Sequence, residues 1–367
     1  MRIERIEIYK ANLPLVRPFR IAIGETRIAE TLYLRVHADD GLYGMGEANL
    51  FTPVVGETQA TAFAAAKDLA KLLVGSDPLD IERRVSDMRR FVPFNPTTRS
   101  GFDMALYDLA GKIAGLPLYA LLGGPRRVIT TDNTVGIDTP EAMAERALEI
   151  KGRGFPAVKV KVGTTAAEDI RRVEHIRRAV GPELAIRIDA NQGWDRVSAV
   201  QALRGMEDLV LEYCEQPVPV WDFEGMRHVR TRTSIPIMAD ESVFDEHDAL
   251  KLASMNACDY LNIKLAKSGG IHVGLRINAV AEAAGMQCMV GCMTESRLGL
   301  SAGAHLVSAR PNIVFADLDG ADMLRDDPVV GGMVYEHGGR IALPEAPGLG
   351  ADIDPAYLES LESFTVA

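Results

Sequence analysis

AVKVKVG, residues 157–163, sets Lys159 and Lys161 among valines and ends on a glycine. Side chains alternate along a strand, so the two ammonium groups share one face while Val158, Val160 and Val162 take the other. Seven further short apolar runs stand in step with this one: VITTDNTVG from 128, LAIRIDAN from 184, LVLEYCEQP from 209, IPIMADES from 235, YLNIKLAK from 260, MQCMVGC from 286 and NIVFADLDG from 312. Their spacing is about 23 to 28 residues, and helix-like segments such as AAEDIRRVEHIRRAV and IHVGLRINAVAEAAG fill the gaps. Eight strand–helix units of that size are what an α/β barrel of the (β/α)8 type requires.

The chain before the barrel reads differently. RIERIEIYKANL and TLYLRVHADDGLYGMGEA alternate like strands, with Asp39, Asp40 and Gly41 as a hairpin turn. ETQATAFAAAKDLAKLLVG and SGFDMALYDLAGKIAGLPLYALLGG then read as helices ending at Gly75 and at Gly123 and Gly124. Strands followed by helices make an α+β unit over residues 1–125, with the barrel over 126–323. Residues 324–367 have little periodicity and are expected to pack back on the N-terminal unit.

The 367 residues are 47% hydrophobic and 25% charged, with a net charge of −11, which disfavours nucleic acid or an anionic membrane surface as partner. No apolar run approaches the ~20 residues needed to span a bilayer. The N-terminus lacks the basic start and apolar block of a secretory signal. The four cysteines include no CxxC pair, so reduced thiols and a cytoplasmic location are expected.

Chemistry in such barrels gathers where the strands end. Here they end in Thr134, Lys159 with Lys161, Asp189 with Asn191, Glu215, Asp240 with Glu241, Lys264, and Asp317 with Asp319. Asp189, Glu215 and Asp240 come from three consecutive strands and would repel one another unless a cation sits between them. All-oxygen ligation suits Mg²⁺, or Mn²⁺, better than zinc. The bland alternative pairs each acid with a base, for instance Asp189 with Arg187.

A partly desolvated lysine beside another has its charged form disfavoured, so its pKa is expected to fall toward that of a working base. Lys264, four strands on from Lys161, should face it across the mouth, where the two could take a proton from one side of a substrate and return it to the other. Alternatively all three lysines serve only as counter-ions. Asp317 and Asp319 share a face at the last strand and could attract a substrate amine, although Asp319 could simply cap a following helix.

KVKVG, RIDANQGW, EQP, ADES, NIKLAKSGG and GCMTESRLG together resemble the muconate-lactonizing subgroup of the enolase superfamily, over nearly the whole chain. The resemblance implies an N-terminal α+β capping domain over a (β/α)7β TIM-type barrel, with Mg²⁺ on Asp189, Glu215 and Asp240. It also implies that the proton α to a carboxylate is abstracted and the enediolate stabilised on the metal. Lys161 matches the proton-transferring lysine of the KxK motif, Lys159 its pKa-lowering helper, and Lys264 the acid/base of the opposite face, with Asn191 and Glu241 behind the ligands.

DLDG resembles the DxD motif by which dipeptide epimerases bind the substrate ammonium, which makes Asp317 and Asp319 substrate-binding, together with Thr134, Cys292 and Met293. The implied activity is epimerisation of a dipeptide at its C-terminal residue. Where Ala-Glu epimerases carry a basic loop residue, RPFRIAIGETR places Gly24, with Arg20 or Arg27 nearby. Ile21, Ile23 and Gly24 there point to an apolar or larger side chain, and LFTPVVGET is expected to cover the pocket through Thr52, Val54 and Val55, or else to be a simple turn.

Other readings keep the site and change the reaction: muconate cycloisomerase, N-acylamino acid racemase or o-succinylbenzoate synthase. A non-catalytic metal-binding assembly protein is disfavoured because both lysines and all three carboxylates are present. Gly269 and Gly270 give only a weak case for a phosphate-binding barrel. Members of this family often form homo-oligomers, and one is expected here.

Overall fold

Alternation along the first fifty residues puts Ile6, Ile8, Leu32, Leu34 and Val36 on one buried face of a sheet. The computed structural model describes all 367 residues. Strands β1 (Ile3–Ile21), β2 (Gly24–Ala38) and β3 (Tyr43–Leu50) form this antiparallel meander. It is covered by helices α2 (Gln59–Leu73), α3 (Ile81–Phe91) and α4 (Pro96–Ala114), while the short α1 (Thr52–Val55) leads out of the sheet. Gly46 allows α4 to lie close, since a Cβ there would stand 1.9 Å from the Gly101 carbonyl oxygen. The long helix expected to run to Gly123 stops instead at Gly115, whose φ of 66° begins a left-handed cap. A one-turn α5 (Leu118–Leu121) follows Pro117.

The barrel alternates strand and helix. The series is β5 (Asn133–Val135), α6 (Pro140–Gly152), β6 (Ala157–Lys161), α7 (Ala166–Val180), β7 (Ala185–Asp189), α8 (Arg196–Gly205), β8 (Leu211–Glu215) and α9 (Phe223–Arg230). It continues with β9 (Ile237–Ala239), α10 (Glu246–Met255), β10 (Tyr260–Lys264), the one-turn α11 (Leu265–Ser268), α12 (Ile271–Ala283), β11 (Gln287–Gly291), α13 (Arg297–Ala309) and β12 (Ile313–Asp317). Every neighbouring pair is parallel, and a 3₁₀ turn rather than a helix follows β12, which makes the arrangement (β/α)7β. The first expected run splits, because β4 (Ile129–Thr130) leaves the barrel to pair with the tail and β5 alone enters the parallel sheet.

The ladder runs from β5 round to β12 without pairing those two ends. Side chains bridge the seam instead: Leu318 N–H donates to Thr131 Oγ1 at 2.8 Å, and Thr134 N–H to Asp319 Oδ2 at 2.7 Å. In the tail, β13 (Val329–Gly331) pairs with β16 (Ala351–Ile353), and β14 (Val334–Tyr335) with β15 (Arg340–Ala342), which also takes β4. After α14 (Pro355–Glu359), β17 (Glu362–Val366) adds to the free edge of β1 in the first sheet. No helix is long and apolar enough to cross a membrane.

Candidate active site

Register carries the ionisable groups to one level. Lys161 pairs with Asp189 and Asp189 with Glu215 across β6, β7 and β8, while Lys264 pairs with Gly291 and Gly291 with Asp317 across β10, β11 and β12. Deeper in the barrel, Tyr213, Met238 and Met289 pack with Tyr260 and Phe315 into an apolar floor. Gly291 is a gap that the level requires: a Cβ there would lie 2.7 Å from Asn262 Oδ1 and 3.1 Å from Lys264 Cε.

Carboxylate oxygens of Asp189, Glu215 and Asp240 lie within 4.8 Å of one another, all buried. Strained backbone follows the first two, with Asn191 at φ 40° and Gln216 at φ 36°, a conformation that non-glycine residues adopt at a cost of order 1–3 kcal/mol. Gln216 converts that bend into a brace, since its Oε1 accepts from Asp240 N–H at 2.9 Å and Ser242 N–H at 3.1 Å. Asn262 donates to Glu215 Oε1 at 2.8 Å. Lys267 donates to the carbonyls of Asp240 and Val243 at 2.5 Å and of Asn262 at 3.1 Å.

The lysines face these acids. Lys159 Nζ lies 2.6 Å from Asp317, 2.7 Å from Glu215 and 3.4 Å from Asp189; Lys161 lies 2.6 Å from Asp189, and Lys264 2.8 Å from Asp240. Lys159, beside Lys161 on its strand, and Lys264, across the mouth, both keep their charge. Burial pushes both down, but the carboxylates outweigh it and hold both above the ordinary lysine value. Arg187 is not the partner of Asp189; it pairs with Asp132 at 2.8 Å and Glu212 at 2.7 Å.

The donor set fits a hard divalent cation. Six buried carboxylates (Asp189, Glu215, Asp240, Glu241, Asp317, Asp319) face four buried lysines (159, 161, 264, 267), so six less four leaves two negative charges. Burial, with Asp189 next, pushes Glu215 up to about 7; burial, with Asp240 next, pushes Glu241 up to about 8. Glu215 Oε2, Asp240 Oδ1, Glu241 Oε2 and Asn191 Oδ1 are buried without a hydrogen-bond partner. Glu215 Oε2 does touch Lys159, as a charge contact lacking hydrogen-bond alignment. Oxygen-only donors suit Mg²⁺ or Mn²⁺.

Above this level a cavity of about 60 Å³ is lined by Lys161, Lys264, Asp317, Asp319, Thr134, Asn191, Cys292, Met293 and Val54. Lys159, the three clustered acids and Glu241 lie beneath it, and Ile23 is not in its wall; Phe19, Ile21 and Thr26 of the β1–β2 hairpin are, with Phe51, Thr294 and Met323. Asp319 does not cap the 3₁₀ turn with its side chain. Burial first and Asp317 second push it up to about 7. Asp317 sits at about 2, because Lys159, Lys161 and Lys264 outweigh its burial.

Missed in the sequence reading were Gln216, Asn262 and Lys267. Asn262 had a signal: it stands two residues before Lys264 in YLNIKL and so on the same inward face.

Residues 4–123 match the family described as mandelate racemase / muconate lactonizing enzyme, N-terminal domain, and residues 142–357 match enolase C-terminal domain-like. The chain belongs to the mandelate racemase/muconate lactonizing enzyme family. It is 42% identical over 367 residues to the D-Ala-D/L-Ala epimerase of Cytophaga hutchinsonii, covering 100% of both chains. The hydrophobic dipeptide epimerase of Enterococcus faecalis is 41% identical over 95% of this chain and 99% of its own. Among solved structures, the Cytophaga hutchinsonii dipeptide epimerase complexed with Mg and D-Ala-L-Val superposes with a TM-score of 0.99, at 42% identity and 100% coverage of each chain. The N-terminal unit lies over the barrel mouth through Phe19, Ile21, Phe51 and Val54.

Proposed function

We propose that this family member is a Mg²⁺-dependent dipeptide epimerase that inverts the α-carbon of the C-terminal residue by a two-base route. The observation that carries the reading is one cavity lined by two lysines, from the second and sixth barrel strands, and by the acidic pair Asp317 and Asp319. Asp189, Glu215 and Asp240 would hold the cation. Bound there, the cation supplies a Lewis acid for charge developing on the substrate carboxylate and competes with the lysines for the ligand carboxylates.

Lys161 and Lys264 remove and return the α-proton from opposite sides. Lys159, locked among Asp317, Glu215 and Asp189, stays charged and holds those carboxylates in place. Asp317 and Asp319 accept the substrate ammonium, with Asn191 and Glu241 supporting the ligands and Thr134, Cys292, Met293 and Val54 shaping the space. Ile23 has no contact with that cavity and acts only through the hairpin tip. The cavity is partly open to solvent, which gives a dipeptide a way in. α1 is tied down through Glu57, which accepts from Thr97 N–H at 2.7 Å and Thr98 N–H at 3.1 Å. The hairpin is held to the barrel rim where Ile137 N–H donates to the Arg20 carbonyl at 2.9 Å.

Four free cysteines support a cytoplasmic location, and exposed Phe91 and Phe94 support assembly into a homo-oligomer. Incubation with Mg²⁺ and dipeptides in D₂O tests the activity: deuterium should appear at the C-terminal α-carbon, and its absence from a broad dipeptide library would reject the reading.

A further inference from the structure

We propose that the residue inverted by this protein carries an apolar, uncharged side chain. The inference rests on the epimerase reading and narrows its substrate class. Once Lys161 and Lys264 are assigned to the α-proton and Asp317 and Asp319 to the ammonium, the cavity wall has no charge left over. What remains is apolar on the hairpin and α1 side, at Phe19, Ile21, Phe51, Val54, Met293 and Met323. Cys292 and the uncharged Thr26, Thr134, Asn191 and Thr294 complete the wall. Phe51, Val54 and Met293 also pack with Ala266, two residues past Lys264, so the apolar patch lies beside the reacting position.

Neither arginine that flanks the hairpin tip lines the cavity. Arg27 pairs with Glu25 at 2.9 Å and keeps 73% of its side chain exposed. Arg20 is exposed and lines a separate cleft of about 340 Å³, which meets the cavity only at Phe19, Thr134 and Met323. A glutamate carboxylate or lysine ammonium buried against this wall would lose its water and find no partner. A leucine or phenylalanine side chain would lose only apolar hydration.

The test compares initial rates of α-deuterium uptake by the Mg²⁺-loaded protein on L-Ala-L-Leu, L-Ala-L-Phe, L-Ala-L-Glu and L-Ala-L-Lys. The expected result is a kcat/KM for the leucine or phenylalanine compound at least about a hundredfold above the glutamate and lysine compounds. Thr26→Arg, which sets a cation in the wall, should raise the glutamate-to-leucine ratio by about tenfold or more. Equal or better turnover of the glutamate or lysine compound overturns the inference and leaves the epimerase reading standing, as does a Thr26→Arg protein with an unmoved ratio. Exchange with none of the four removes the inference, and exchange with no dipeptide at all removes the epimerase reading too.

Discussion

The Thr134 amide donates a 2.7 Å hydrogen bond to Asp319 Oδ2 across the seam between β5 and β12, the one place where no ladder closes the barrel. The bond aims the carboxylate into the cavity and leaves Oδ1 for a ligand. Asp319→Asn can keep the bond through its carbonyl oxygen while removing the charge. KM for a dipeptide should rise roughly ten- to a hundredfold, the worth of a charged hydrogen bond, with a smaller change in kcat. Steady-state kinetics check this, and an N-acetylated dipeptide should show no difference between variant and parent.

Gly291→Ala probes the gap beside Lys264. The new methyl meets Asn262, which is bonded to Glu215, and presses on Lys264 Cε, so the base is displaced. The expected result is a fall in kcat of about tenfold to a hundredfold, with KM little changed and a stability loss of about 1–3 kcal/mol. Kinetics beside a thermal melt separate the two effects.

A cation that binds the folded chain and not the unfolded one stabilises the fold by mass action, by about 2.7 kcal/mol at a hundredfold excess over Kd, and so raises the melting temperature. Mg²⁺ should therefore raise Tm and a chelator lower it, and Asp240→Asn should abolish the shift. A Tm indifferent to Mg²⁺ would contradict the ligand assignment.

Glu295 is buried, and burial first, with Glu47 next, pushes it up to about 8. A carboxyl whose folded pKa exceeds its ordinary value near 4.5 binds protons more tightly when folded. Its contribution is full below 4.5 and is lost as pH rises toward 8. Denaturant titrations between pH 5 and pH 8 should show stability falling with pH, and Glu295→Gln should flatten the slope.

Much of the site was legible because a strand's period of two is a strong constraint. Once KVK and NIK read as strand ends, the inward face of each charged residue follows from its neighbours. The first barrel strand was blurred because VITTDNTVG holds two short strands serving different sheets, a division set by tertiary pairing with Arg340–Ala342. Gln216 hid in EQP because its role comes from a left-handed bend that brings it under Asp240, which no periodicity announces. Lys159 keeps its charge because Asp189, Glu215 and Asp317 reach it from other strands, and the spacing within KVK says nothing of them. Ile21 and Thr26 lie on opposite arms of a hairpin, so their shared wall depends on register rather than on spacing.

The two-base claim is tested most directly by following α-deuterium uptake in Lys161→Ala and Lys264→Ala with separate L,L and L,D dipeptides. Each variant should lose epimerisation, and each should retain exchange of only one diastereomer, the opposite one in the two variants. A double variant that still inverts the α-carbon, or two single variants that exchange the same diastereomer, would contradict it.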